Sequence, residues 1–487
     1  MSTIFKRGLV SLARHYALNF VGEENVEHKS NELLKAKLRR ASNTRIGRDM
    51  GVTPSTSLDK LPLTSYGFYR RYFESPNEGD FLYPLNDYIK ATTSGTMGRP
   101  KTYMLPKTAL ADNMRKTGFA SIFIYTHDGE RSTFEMGDVV YANVPGGSHI
   151  AAYNSEIGAK QNMRFVTLCP DPNLPFQAKV DYFVDNYRKI DIVYMAVTTL
   201  LDEVFPRIGE PFFLKGFMTQ DSSAGVLKEE IKKVTANYPK VTYGATETMA
   251  STFASIEHPG AFWFDWRVIY TEFIPEVEKV ILNDQAALNE PPETVSIGNV
   301  EVGRRYQLVA TPYKTDMTRY VMPDIFECVD KGDDVLGTNV PVFRHYSRAD
   351  KILILHNFTR IIEEELLHVL KESGVDYADF TVRRELEGAK EYIGLYLEPS
   401  KEMLDEEIFR RVHTALLDYD KDWRDLTNFF NYIPLKLHLL PKGTFNKYLG
   451  QKQGMPSIDR IEMKIENFSE LMRLAKCGKP RSAQTRR

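Results

Sequence analysis

A chain of 487 residues, 42% apolar and 26% charged, has room for several domains of roughly 150 residues and can build its cores without metals or disulfides. With 63 Lys+Arg against 65 Asp+Glu the net charge is −2, which excludes a general nucleic-acid coat and a disordered acidic chain but leaves room for a local phosphate site. Cys169, Cys328 and Cys477 lie far apart, with no CxxC pair and no His at ligand spacing, a pattern that argues against a zinc site and points to a reducing, cytoplasmic setting.

The first twenty residues, MSTIFKRGLVSLARHYALNF, are basic and amphipathic and read as a surface helix, since the apolar run is too short and broken for a secretory signal. Residues 29–50 read as one helix, with Leu33, Leu34, Leu38 and Ala41 at helical spacing. A second amphipathic helix begins around Thr64. From Asp80 onward short apolar runs alternate with helical stretches. DVVYANV (138–144), NMRFVTL (162–168), DIVYMAV (191–197) and KVTYG (240–244) read as strands, and 179–188 and 224–236 as helices. That alternation predicts an α/β parallel sheet. Residues 262–310 instead alternate apolar and polar residues, as hairpin strands do.

A domain boundary is expected near residue 346. Beyond it come a short strand in RADKILIL, a helix over 361–371, strands TVRREL and EYIGLYLE, and a helix over 402–419. These predict a small α+β domain over 347–487, after a large domain over 1–346. Residues 471–487 carry six Lys/Arg and no acid, and read as a solvated terminus. No run approaches the roughly 18 apolar residues of a membrane span.

The chemistry concentrates in a few segments. In Ala91-Thr-Thr-Ser-Gly-Thr-Met-Gly-Arg-Pro-Lys101, the hydroxyls of Thr93, Ser94 and Thr96 surround Gly95 and Gly98, and Lys101 closes the loop. Glycines let backbone N–H groups approach an anion, hydroxyls add donors, and the lysine adds a point charge for a polyphosphate. The lysine follows Pro100 and no Ser/Thr metal ligand stands in frame, so this is not the GxxxxGK[ST] loop. Tyr243-Gly-Ala-Thr-Glu247 leaves the end of a predicted parallel strand, where open α/β sheets bind ligands.

The first loop resembles the phosphate-binding signature of the adenylate-forming superfamily, which includes acyl-CoA synthetases, luciferases, aryl-CoA ligases and acyl-acid amido synthetases. Four further segments resemble the remaining signatures in their expected order. Tyr243-Gly244-Ala-Thr246-Glu247 is similar to the Tyr-Gly-x-Thr-Glu motif. The resemblance implies that Tyr243 packs on adenine, Thr246 contacts the α-phosphate and Glu247 helps to hold Mg²⁺. Met317-Thr-Arg-Tyr-Val-Met-Pro-Asp324 resembles the amido-synthetase Arg-Tyr-x-x-Gly-Asp, whose Asp binds ribose hydroxyls. Here Pro323 stands in place of the glycine, which fixes φ and alters the turn.

Ser347-Arg348-Ala-Asp350 resembles the Gly-Arg-x-Asp hinge, with Arg348 reaching the nucleotide and Asp350 as pivot. The loop after it lacks the lysine and glycine of typical acyl-CoA synthetases, so the resemblance does not fix the use of coenzyme A. Leu440-Pro-Lys-Gly-Thr-Phe-Asn-Lys447 resembles the segment carrying the catalytic lysine, with Lys442 and Lys452 as rival positions. Looser likenesses to amido synthetases run through 61–66, 69–73, 270–275 and 303–309, and the overall pattern also approaches phenylacetate-CoA ligase-like proteins.

The resemblance implies a large adenylate-forming domain with parallel sheets and a β-hairpin or barrel portion, followed by a small mobile α+β domain. It also implies an ATP- and Mg²⁺-dependent ligase that joins a small carboxylic acid to an amine such as an amino acid, or alternatively to the thiol of coenzyme A. Nucleic acid is not expected as a partner. The alternative from another class is a nucleotide-binding scaffold without catalysis. His149, Trp263 and Trp266 are read as ordinary loop and core residues, and Glu363-Glu-Glu365 as the first turn of a helix, where carboxylates favour the dipole.

Overall fold

The computed structural model describes residues 3–92, 101–144, 150, 153–154, 156, 167–171, 173–197, 199–221, 223–280, 282, 286–349, 353–355, 359–387, 390–420, 423–424, 427, 432–451 and 457–477. The described chain divides into two compact units, one ending at Tyr346 and the other beginning at Ser347.

The first unit contains two main sheets. Five short strands form a parallel sheet in the order Thr167–Cys169, Val139–Ala142, Ile192–Tyr194, Gly216–Thr219 and Lys240–Val241. Both faces of such a sheet are covered, so its strands are largely apolar, although Thr167, Thr219 and Lys240 stand within them. The helices Phe176–Asn186 and Lys228–Thr235 supply Val180, Phe183, Ile231 and Val234 to the core around Val193 and Phe217. The expected helix over 224–236 is interrupted at Leu227, which precedes the helix Lys228–Thr235.

The hairpin strands form an antiparallel sheet. Its main path runs through Ile269–Pro275, Arg305–Pro312, Tyr320–Asp330, Val342–Arg348, Phe262–Phe264 and Thr252–Ala254. Trp263, Phe264, Phe273, Phe326 and Phe343 fill the core beneath it. Trp263 is fully buried and Trp266 nearly so, as core residues should be.

The expected helix over 29–50 is two helices, Val26–Ala41 and Arg45–Asp49. Thr44 makes the break. Its hydroxyl donates to the Ala41 carbonyl at 2.8 Å and accepts from Gly47 N–H at 2.9 Å, capping the second helix as it ends the first. Gly47 is required there, since a Cβ would stand 1.9 Å from the Ala41 carbonyl oxygen.

Two buried cations tie the N-terminal segments to the antiparallel sheet. Lys37, on the inner face of Val26–Ala41, donates to the carbonyls of Pro312, Thr315 and Met317 at 2.8, 2.6 and 2.6 Å. Three carbonyls match the three donors of an ammonium. Arg319 faces Glu272 through Nε–Oε2 at 3.2 Å and Nη2–Oε1 at 3.0 Å, and gives Nη1 to the Leu61 carbonyl at 2.6 Å. The Leu61-Pro-Leu-Thr64 segment is therefore fixed to a residue 258 positions away by a charge-assisted hydrogen bond.

The second unit has a three-stranded sheet. Tyr377–Glu387 and Lys390–Pro399 form a hairpin, and Leu435–Leu439 runs parallel to the latter. The helices Glu363–Glu372 and Asp405–Tyr419 bury Leu366, Val369, Ile408 and Val412 together with Phe380 and Leu395. Glu363, Glu364 and Glu365 do occupy a first helical turn, where Glu365 accepts from the Ile362 N–H. A second cluster joins Tyr396, Phe445, Tyr448 and Leu471, and so packs the helix Thr444–Leu449 against Ile465–Cys477.

Candidate nucleotide site

The segment 242–251 leaves the last parallel strand, Lys240–Val241, and enters the antiparallel strand Thr252–Ala254. It is pinned at its mouth by Thr252, whose hydroxyl accepts from Tyr243 N–H at 2.9 Å and donates to the Tyr243 carbonyl at 2.7 Å. At its far end Met249 and Ala250 both have positive φ, 60° and 51°. Two consecutive non-glycine residues in this region carry backbone strain that their surroundings must offset. Asn113 contributes by donating Nδ2 to the Met249 carbonyl at 2.7 Å.

Within this loop Tyr243 and Glu247 engage different partners. The Tyr243 ring stacks on Phe262, with centroids 5.7 Å apart, and meets the edge of Phe326 at 4.9 Å. Its hydroxyl donates to Asp324 Oδ2 at 2.8 Å. The other Asp324 oxygen lies 3.3 Å from His345 Nε2. Asp324 is buried, on the strand Tyr320–Asp330.

Pro323 does not disorder this placement. The register between the neighbouring strands slips from Gln307↔Ile325 to Val309↔Val321, so Pro323 sits in a bulge, where a missing N–H is tolerated. Gln307 Nε2 caps the bulge by donating to the Met322 carbonyl at 2.8 Å.

Half-buried Glu247 accepts from the Tyr103 hydroxyl at 2.5 Å, and Tyr320 stands 3.5 Å from the same carboxylate oxygen. The two phenol oxygens are 3.0 Å apart. Burial, reinforced by the Glu247 charge, pushes both phenols well above their ordinary range, so they remain protonated. Thr246 is buried beside them in sequence. Lys101 begins the strand-side return of the glycine-rich loop, and its ammonium lies 5.4 Å from the Tyr66 ring centre. Tyr66 meets Tyr103 edge-on at 5.3 Å, so Lys101 belongs to the same aromatic cluster as the Glu247 partners.

Of the residues expected at the site, Tyr243, Gly244, Thr246, Glu247 and Asp324 come together in the first unit. Thr93, Ser94, Gly95, Thr96, Gly98 and Asp350 lie outside the described residues, as does the side chain of Arg348, the last residue of its strand. His149 and Lys452 also lie outside them. Lys447 belongs to the second unit, exposed on Thr444–Leu449. That helix is seated by Glu398, which accepts from Gly443 N–H at 2.5 Å and Phe445 N–H at 3.0 Å, with Gly443 at φ 81°.

Sequence reasoning missed Tyr103, His345 and Glu398. None stands inside a recognisable motif, although Tyr103 lies two residues beyond Lys101. No group of three metal-ligating His, Cys, Asp or Glu side chains occurs among the described residues.

The fold is that of adenylate-forming ligases. Residues 262–335 match the GH3 family central domain. The structure of GH3.15 acyl acid amido synthetase superposes with a TM-score of 0.66 at 13% identity, covering 94% of this chain and 95% of that one. That of 2-hydroxyisobutyryl-CoA ligase in the postadenylation state with 2-HIB-AMP gives 0.63 at 15% identity, with 94% of each chain covered. ATP-bound MatB from Rhodopseudomonas palustris gives 0.50 at 12% identity over 75% of this chain and 67% of that one. No curated protein matches by sequence.

Proposed function

We propose that the chain is an ATP-dependent ligase that activates a small carboxylic acid as its acyl-adenylate and passes the acyl group to an amine such as an amino acid. The observation that carries this reading is the convergence of two strands, Thr102–Pro106 and Tyr320–Asp330, on the 242–251 loop: Tyr243 with Asp324, and Glu247 with Tyr103 and Tyr320. An aromatic face, a buried diol acceptor and a carboxylate held by protonated phenols are the parts an adenylate site requires. The full-length likeness to an amido synthetase and a CoA ligase supports it.

In the first half-reaction a carboxylate oxygen attacks the α-phosphorus and pyrophosphate leaves with the bond's electron pair. In the second the amine nitrogen attacks the acyl carbon, AMP leaves, and the nitrogen loses a proton. Both steps depend on positioning and charge neutralisation. Tyr243 would pack on adenine, Asp324 would accept from the ribose hydroxyls, and Thr246 would contact the α-phosphate. The loop 93–98 and Lys101 would receive the outer phosphates. Arg348 would reach the nucleotide, and Lys447 would neutralise charge as the adenylate forms while the second unit turns about Asp350.

Glu247 fits Mg²⁺, which binds through one or two carboxylates plus substrate phosphates rather than an all-protein cage. Tyr103 engages only one of its oxygens. Bound there, Mg²⁺ would supply charge neutralisation for the polyphosphate.

The amine acceptor is favoured by the GH3 match over residues 262–335. The CoA alternative stands on 2-hydroxyisobutyryl-CoA ligase. We read the compartment as cytoplasmic from the cysteine usage, with Cys328 a buried free thiol. No described helix is long and apolar enough to cross a membrane. Incubation with ATP, Mg²⁺ and a carboxylic-acid panel, with an amino-acid mixture in one arm and CoA in the other, tests this reading by mass spectrometry. An amide with release of AMP supports it, a thioester alone moves the acceptor to CoA, and neither product refutes it.

A further inference from the structure

Within the first unit, the helices Val26–Ala41 and Lys107–Asn113, the π-helical turn Met114–Gly118 and the segment 312–315 line an open pocket of about 80 Å³, several times the space one water needs, with Arg40 exposed at its rim. The nucleotide residues described above do not line it. Its polar lining is cationic: Arg40, Lys116, Arg267 and Lys314 face a single carboxylate, Asp112.

The charges do not cancel. Arg267 is matched outside the lining by Asp265, with Nε–Oδ1 at 2.8 Å and Nη2–Oδ2 at 2.7 Å. Asp112 is nearly fully buried. One oxygen takes Arg115, and the other lies 2.9 Å from Lys116 and 3.1 Å from Lys314. Burial alone would raise its carboxyl, but the lysine hydrogen bonds hold it below its ordinary value. One carboxylate thus faces three lining cations, Arg40, Lys116 and Lys314, and two positive charges are left over.

Donors are also left over. Lys116 uses its ammonium on Asp112 and on the Arg267 carbonyl at 3.1 Å, and Lys314 on Asp112. Arg40 spends two of its five N–H groups, on Tyr83 and the Tyr313 carbonyl. The Thr315 hydroxyl, almost wholly buried in the pocket wall, has no hydrogen-bond partner among the described residues. A buried polar group of this kind signals a missing partner.

We propose that this pocket binds a small dianion of phosphate size, held by Lys116, Lys314 and Arg40. Two excess charges select a dianion, and the pocket's size selects a compact one. Met249, two residues beyond Glu247, forms part of the wall, so the ligand touches the loop that carries the proposed magnesium ligand.

The test is isothermal titration of the full chain with inorganic phosphate, sulfate and succinate in separate arms. The proposal expects saturable binding of phosphate or sulfate. It also expects Lys314→Glu and Lys116→Met each to weaken one equivalent of that binding about tenfold or more, with Lys60→Met unchanged. Lys314 is partly exposed, so Lys314→Glu should remain folded, as its thermal midpoint will show. A response to phosphate or sulfate identifies an inorganic oxyanion or phosphate ester, and one to succinate alone overturns the proposal of a compact dianion. Binding that ignores both variants belongs to another locus, such as the glycine-rich loop, and overturns the proposal. So does the absence of saturable binding in all three arms.

Discussion

Replacing Glu247 with Gln separates chemistry from folding. The amide oxygen can still accept from Tyr103 and Tyr320, so those buried phenols keep a partner. Exchanging a charged acceptor for a neutral one costs stability on the order of 1 kcal/mol. Activity should fall much further. If Glu247 is the carboxylate that fixes Mg²⁺ against the phosphates, losing one preorganised charge contact costs about 3–4 kcal/mol, or roughly 10²–10³ in adenylation rate. Glu247→Ala supplies the contrast. It strips the carboxylate acceptor; the two phenols can still share one hydrogen bond, so one buried donor is left unpaired, at a cost of roughly 1–3 kcal/mol. Pyrophosphate exchange at saturating Mg²⁺, read beside urea unfolding, resolves the two effects. The reasoning is refuted if folded Glu247→Gln exchanges at the wild-type rate, or if it is destabilised as much as Glu247→Ala, which would make the carboxylate structural.

Three further outcomes follow from the same geometry. Lys447→Ala should slow adenylation about 10²–10³-fold while ATP binding by equilibrium dialysis persists; lost ATP affinity would make the lysine a fixed part of the nucleotide pocket. Lys37→Met removes the donor from three buried carbonyls and should destabilise the fold by roughly 3–5 kcal/mol, measured as a lower urea midpoint. Burial pulls buried Lys240 down from 10.5 to about 8. Its contribution to stability is present above its unfolded value and lost as pH falls toward 8, so Lys240 should add roughly 2–3 kcal/mol between pH 8 and 10.5, while buried phenols such as Tyr103 and Tyr320 subtract stability as pH passes about 10. The difference between the wild-type and Lys240→Met profiles should show that gain, and identical profiles would show that Lys240 is not the group responsible.

Much of the architecture was legible in residue patterning. The run DIVYMAV marked a strand because its apolar residues are continuous, and Ile192–Tyr194 pairs in parallel on both sides. The error over 29–50 has a local cause. Apolar spacing carries on through the break, while Thr44 and Gly47 decide it by a cap and a close backbone approach, which periodicity does not weigh. Lys37 was invisible for the opposite reason. A lysine on a helix reads as solvated, and only three carbonyls brought by residues 312–317 make its burial tolerable.

The site divides in the same way. Tyr243, Glu247 and Asp324 were legible because motif spacing is local to each segment. Their partners were not, because Tyr103, Tyr320 and His345 acquire their roles through sheet register. Tyr320 stood inside a recognised motif, yet its position beside Tyr103 is set by contacts 217 residues apart in sequence. Pro323 looked disruptive in sequence and is accommodated by a bulge that no single-strand pattern reveals. Arg319, in the same motif, holds the buried pair with Glu272.

The most direct test of the central claim is ATP–pyrophosphate exchange across a panel of carboxylic acids with no acceptor present. An adenylate-forming ligase will move label from pyrophosphate into ATP with at least one acid, and only when that acid is supplied. ATP binding without acid-dependent exchange anywhere in a broad panel would contradict the account and leave a nucleotide-binding scaffold in its place.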